Sequence, residues 1–182
     1  MKAVCRRRKH HCLARLGILL IAASLIVGTA GCESPPDYPG IRDWYDLDAI
    51  RDDLGGHYLL MNDLDSATAG YVELASKAAN QGKGWQPIGT SDDPFAGSLD
   101  GQGYEISDMF INRPDEIVVG LFGAVDAGGV IQNVKMPNAD VTGEWAVGGL
   151  LGENWGDVHD SYSGGTVSGE DCVGGLVGGN AG

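Results

Sequence analysis

Beyond residue 31 the chain holds two histidines, six lysines or arginines and 25 carboxylates, and their spacing limits the chemistry open to them. A catalytic zinc site needs two histidines at helical spacing with a glutamate between them, so that both imidazoles reach one ion. His57 and His159 are far apart and neither is followed by Glu. A polysaccharide lyase needs a cation against the substrate carboxylate and a base beside it on one face. Arg42, Arg51, Lys77, Lys83, Arg113 and Lys135 fall one per segment, which points away from catalysis. Calcium asks for several oxygen ligands, and two groups offer them: Asn62, Asp63 and Asp65, and Asp92, Asp93 and Asp100. Neither follows the EF-hand or the nonapeptide calcium-repeat order, and Asp and Asn also build turns. Calcium is thus a possible ligand and no other cofactor is expected. Exposed aromatics are the remaining contact groups. Trp145, Trp155 and Tyr162 are the candidates, whereas Trp44 and Trp85 are expected in the core. Cys172 has no partner and is expected to act as a small buried hydrophobe.

These residues must be positioned by short elements. A helix is predicted near 44–54, with Asp43 as N-cap, Asp46 and Asp48 toward the positive end of the dipole and Gly55 as the stop. Trp44, Leu47, Ile50 and Leu54 form its apolar stripe. Beyond it the pattern changes to brief extended runs broken by Gly, Asp, Asn and Pro. Strands are predicted at 57–62, 85–89, 95–100 and 104–111, with a helical or irregular excursion at 66–84.

An internal repeat then decides the architecture. VVGLFG at 118–123, VGGLLG at 147–152 and VGGLVG at 173–178 vary one phrase. The last two align at 26 residues, pairing Val147 with Val173, Gly152 with Gly178, Asn154 with Asn180 and Gly156 with Gly182. The first lies 29 residues before the second, with extra length around Ala124 to Gly128. A unit of this size cannot bury its own apolar face and is stabilised by stacking on its neighbours. Equivalent strands then form parallel ladders, Val and Leu become inward columns, and Gly admits close backbone approach. Trp145 and Trp155 have Asp171 and Ala181 at the equivalent positions of the next copy, so the ladder does not require them.

The stretch from Val147 to Gly182 closely resembles the GLUG motif. The preceding phrases fit the same family in order: Trp85 to Gly89, Phe95 to Gly101, the Ile-rich run 106–111 and Gly120 to Gly123. The resemblance covers about 41–182. It implies an all-β fold, a right-handed parallel β-helix (β-solenoid), here with a short N-terminal capping helix, and it implies surface or secreted proteins of the adhesin and haemagglutinin type. The family would continue past Gly182, so the domain is expected to be truncated at its C-terminus.

The first 31 residues contain six Lys or Arg, no acid and a short apolar centre at 16–31, the pattern of a secretory signal peptide. Thr29, Ala30 and Gly31 before Cys32 resemble the lipobox of bacterial lipoproteins, which implies lipidation of Cys32 and an exported, lipid-anchored place at the cell envelope. Residues 32–40 read as a flexible tether and 41–182 as the solenoid domain. Six cations against 25 carboxylates leave the exported part at −19, a charge that repels nucleic acid. The expectation is a non-enzymatic surface lipoprotein that binds an extracellular protein or a glycan. The alternatives are a carbohydrate-active β-helix resembling the polysaccharide lyases, and a purely structural stalk.

Overall fold

The computed structural model describes residues 38–182. The signal segment, Cys32 and most of the tether at 32–40 therefore lie outside the described residues, while Gly40 already pairs in a strand. The strands are β1 (Gly40–Ile41), β2 (His57–Leu60), β3 (Ser98–Asp100), β4 (Phe110–Asn112), β5 (Phe122–Val125), β6 (Val130–Gln132), β7 (Lys135–Thr142), β8 (Trp145–Gly148), β9 (Leu151–Asn154), β10 (Asp157–His159), β11 (Tyr162–Ser168), β12 (Asp171–Gly174) and β13 (Val177–Asn180). They form four sheets, with orders β1-β2-β3-β6-β10, β11-β7-β4, β12-β8 and β13-β9-β5, and every strand pairing is parallel. The two last units each give one strand to each sheet: β6 to β9, then β10 to β13.

Register turns the repeat into columns. Tyr58, Leu99, Ile131 and Val158 are in line, as are Ile111, Val141 and Val167, and Val119, Val147 and Val173. Ile88, Phe122, Leu151 and Val177 make a further column. Each apolar residue covers the one below it, and one continuous core runs from Ile41 to Leu151. Trp44 and Trp85 are wholly buried as expected, with ring centroids 5.7 Å apart. In the last unit the same positions lack cover from above, so Val173 is 44% exposed.

One column turns from apolar to polar. Phe95 and Val125 are followed in register by Asn154 and Asn180. Asn154 is buried, donates from Nδ2 to Asn180 Oδ1 at 2.8 Å and accepts from the Gly156 amide at 3.2 Å. Its amide therefore stands where an apolar residue stands below, at no cost in unpaired groups.

Several expectations are corrected. The helix expected over 44–54 is one α-helical turn, α1 (Trp44–Asp48), running into a 3₁₀ turn, Ala49–Asp52. Its buried side chains are Trp44, Leu47 and Ile50, spaced by three, the period of a 3₁₀ helix, and tightening keeps all three against the core. Asp43 does cap it, accepting from the Asp46 amide at 2.9 Å. No strand forms at 85–89 beyond a single bridge at Ile88, because Pro87 has no N–H for a ladder. The run 104–111 is broken by Asp108, whose φ is 63, and β4 starts only at Phe110. The excursion at 66–84 holds α2 (Tyr71–Leu74) and a 3₁₀ turn at Ala79–Gly82. Cys172 is exposed, not buried. It follows Ala146 by 26 residues, and Ala146 is buried by the copy that lies over it, whereas Cys172 has no such cover.

Candidate binding surface

Trp145, Trp155 and Tyr162 are exposed by 38%, 54% and 45%. The fold brings the two tryptophans together. Trp145 opens β8 and Trp155 follows β9, and both line one pocket of about 250 Å³ with Glu153, Gly179, Asn180 and Ala181. In register, Trp145 lies against Asp171 and Glu153 against Gly179. A glycine beside Glu153 and an alanine at 181 leave open the space that larger side chains would fill. Tyr162 starts β11, in register with Lys135 on another sheet, and does not join them. Sequence reasoning missed Glu153 and Asn180; the signal available was the shrinkage of side chains from one copy to the next.

Within the two calcium candidates the carboxylates of Asp63, Asp65 and Asp100 are engaged by neighbouring donors. Asp63 accepts from the Glu105 amide at 2.9 Å, and Asp65 accepts from the Ala67 amide and the Thr68 hydroxyl, each at 2.9 Å. Asn62 donates to the carbonyls of Arg42 and Asp63. Asp100 accepts from the Gln102 amide and from the side chains of Gln132 and Asn133. Asp92 is exposed, and the Asp93 amide donates to Thr90 Oγ1 at 3.1 Å within the same loop. Among the described residues no three His, Cys, Asp or Glu side chains are grouped as metal ligands. The histidines occupy different strands of one sheet, His57 on β2 and His159 on β10, with β3 and β6 between them.

The cations are less scattered than their spacing suggests. Lys83 Nζ and Arg113 Nη1 lie 2.9 and 3.0 Å from the same oxygen, Oε1 of Glu116. Stacking of the 79–84 loop on β4, with a bridge between Gly84 and Ile111, joins residues 30 apart in sequence. Arg51 is committed elsewhere, to Asp48, the carbonyls of Gln86 and Pro87, and the face of Trp85. Burial raises the Glu116 pKa, but the hydrogen bonds and charges of Lys83 and Arg113 outweigh it, so its carboxyl titrates below the usual range. A carboxylate with a depressed folded pKa contributes stability that is present above the unfolded value, about 4.3, and is lost as pH falls through the folded one. Glu116→Gln is therefore expected to lower the urea midpoint at pH 7. The gap from the parent should close as pH falls below 4, and a gap that persists unchanged at pH 2.5 would refute the ion-pair account.

The GLUG motif matches residues 143–168, which include β8 and β9. Halomucin of Haloquadratum walsbyi (strain DSM 16790 / HBSQ001) is 35% identical over 148 residues, 80% of this chain and 2% of that protein. A protein of Evansella cellulosilytica named as a Gly-rich membrane protein is 38% identical over 117 residues, 62% of this chain and 13% of its own length. The chain thus spans a small part of both curated relatives. No solved structure matches it.

Proposed function

For a chain that carries the GLUG motif, we propose the role of an exported, lipid-anchored surface protein that binds glycan chains through Trp145 and Trp155 and catalyses no reaction. The observation that carries this reading is the pairing of two exposed, unrepeated tryptophans around one pocket. Indole faces stack on the apolar faces of sugar rings, and the Glu153 carboxylate and Asn180 amide beside them supply the acceptors and donors that hydroxyl groups need. The columns of Val, Leu and Ile support a right-handed parallel β-helix as the scaffold, since crossovers between parallel strands are right-handed in nearly all folds. The domain layout follows: signal peptide at 1–31, a tether from Cys32 that ends where β1 begins at Gly40, and the solenoid domain after it.

A relative named as a membrane protein supports a place at the cell envelope. No helix among the described residues is long and apolar enough to cross a membrane. Attachment in this reading runs through a lipid on Cys32. Cys32→Ser is expected to move the protein from the membrane fraction to the soluble fraction on ultracentrifugation. Full retention of the variant in the pellet would rule out the anchor.

Binding is tested by fluorescence. Trp44 and Trp85 are buried, so a change in the quenching of emission by iodide on adding a polysaccharide reports on Trp145 and Trp155. Protection from iodide is expected in the parent and absent in Trp155→Ala. Protection that survives Trp145→Ala/Trp155→Ala would place the glycan elsewhere.

A further inference from the structure

A second pocket, of about 290 Å³, is lined by Asn80, Gln81, Lys83, Gln86 and Arg113. This is near the lower edge of small-molecule sites, about 300 Å³. We propose that it binds the carboxylate of a uronate unit in an acidic glycan, a site separate from the tryptophan face.

The case begins with Arg113. Its side chain is 93% buried, since only 7% is exposed, and guanidinium is rarely buried without full use of its donors. Nε donates to the Trp85 carbonyl at 3.0 Å and Nη1 to both oxygens of Glu116, each at 3.0 Å. Nη2 has no hydrogen-bond partner among the described residues and is not itself buried, so this donor is open to the pocket that Arg113 lines. Lys83 stands beside it, 55% exposed, with a single carboxylate contact for its three donors. Lys83 and Arg113 against Glu116 leave one net positive charge at the pocket.

The pocket is also bordered by a tight turn. Asn80 (φ 50, ψ 44) and Gln81 (φ 60, ψ 36) are consecutive left-handed residues, a conformation costing about 1–2 kcal/mol each for a residue with a Cβ. Asn80 Nδ2 fixes the loop by donating to the Gly84 carbonyl at 2.8 Å. The side-chain amides of Gln81 and Gln86 are exposed, make no hydrogen bond among the described residues and border the same space. Two cationic donors answer a carboxylate, and two free amides answer hydroxyl groups around it, which together describe a uronate better than a bare inorganic anion.

The strongly acidic surface does not preclude this. At about 0.1 M salt, charges further than about 10 Å are largely screened, so the local cation pair decides. Glu116 competes for both cations, and its charge opposes the ligand.

Calorimetric titration of the Cys32→Ser protein with tri-galacturonate tests the site, with a neutral galactose trimer and inorganic phosphate as the other arms. Saturable binding of the acidic trimer is expected, weaker at high salt and not displaced by equimolar phosphate. Lys83→Gln should weaken it about tenfold, one charge-assisted hydrogen bond, whereas Glu116→Gln should tighten it. Lys83 is exposed enough that its replacement spares the fold, whereas Arg113 is buried and its replacement would disturb it. Trp145→Ala/Trp155→Ala should leave the affinity unchanged, so this site and the tryptophan face fail separately. No saturable binding in either the parent or Glu116→Gln, equal affinity for the neutral trimer, displacement by phosphate, or no effect of Lys83→Gln would each overturn the proposal.

Discussion

Gly152→Ala is expected to destabilise the protein by at least about 3 kcal/mol, the upper part of the range for overpacked cores, and to leave little folded material at 37 °C. A Cβ on Gly152 would sit 2.6 Å from both the Val118 carbonyl carbon and the Val119 nitrogen, and 2.7 Å from the Gly123 carbonyl oxygen. All three are backbone atoms of the unit stacked beneath, so no rotamer change can relieve the contact. The ladder itself would have to part. Gly148, at the start of the same corner, is hemmed in likewise by the carbonyl oxygens of Leu151 and Leu176. The glycines of the repeated phrase are thus set by the spacing of stacked main chains. Gly128 is the internal control: an added Cβ there would meet nothing within 4 Å. Gly128→Ala should change stability by at most about 1 kcal/mol, toward a gain. Urea midpoints at constant m-value measure both. A Gly152→Ala protein as stable as Gly128→Ala would mean the strands do not stack as described.

Trp85→Ala should cost about 3–5 kcal/mol. Trp85 is wholly buried, its indole Nε1 donates to the Leu121 carbonyl at 3.1 Å, and its ring lies against Trp44 and under the Arg51 guanidinium at 5.1 Å. Removing it leaves a cavity where the irregular N-terminal segments meet the ladder, and takes one of two donors from the Leu121 carbonyl, which keeps the Ile88 amide at 3.0 Å. Trp155→Ala, at an exposed site, should shift stability by no more than about 0.5 kcal/mol. Equal costs for the two would contradict the division between core and contact tryptophans.

That division was legible in the sequence because the repeat reveals it. Val147 and Val173, and Asn154 and Asn180, pair in register as their 26-residue spacing predicts. Alignment with the first copy was misleading by one residue. The phrase sets Val118 against Val147, but Val119 is the partner, and Phe122 with Leu151 restores the 29-residue offset after the corner. Adjacent valines made either register plausible, and a one-residue slip reverses which side chain faces inward. Val118, Ala146 and Cys172 all take φ near 50–60, unfavourable for valine and readable from no local pattern. The meeting of Lys83 with Arg113 escaped for a different reason. It arises from packing of a loop that no other unit repeats, so periodicity carries no trace of it.

Electrophoresis of the Cys32→Ser protein through gels containing a dissolved polysaccharide tests the central claim most directly, because retardation reports binding without a label or an assumed reaction. For at least one neutral polysaccharide the parent should be retarded relative to a gel without it. Trp145→Ala/Trp155→Ala should run at the same rate in both gels, while Lys83→Gln should be retarded like the parent. Retardation of the double variant equal to that of the parent, or no retardation of the parent by any polysaccharide, would contradict binding at the tryptophan face.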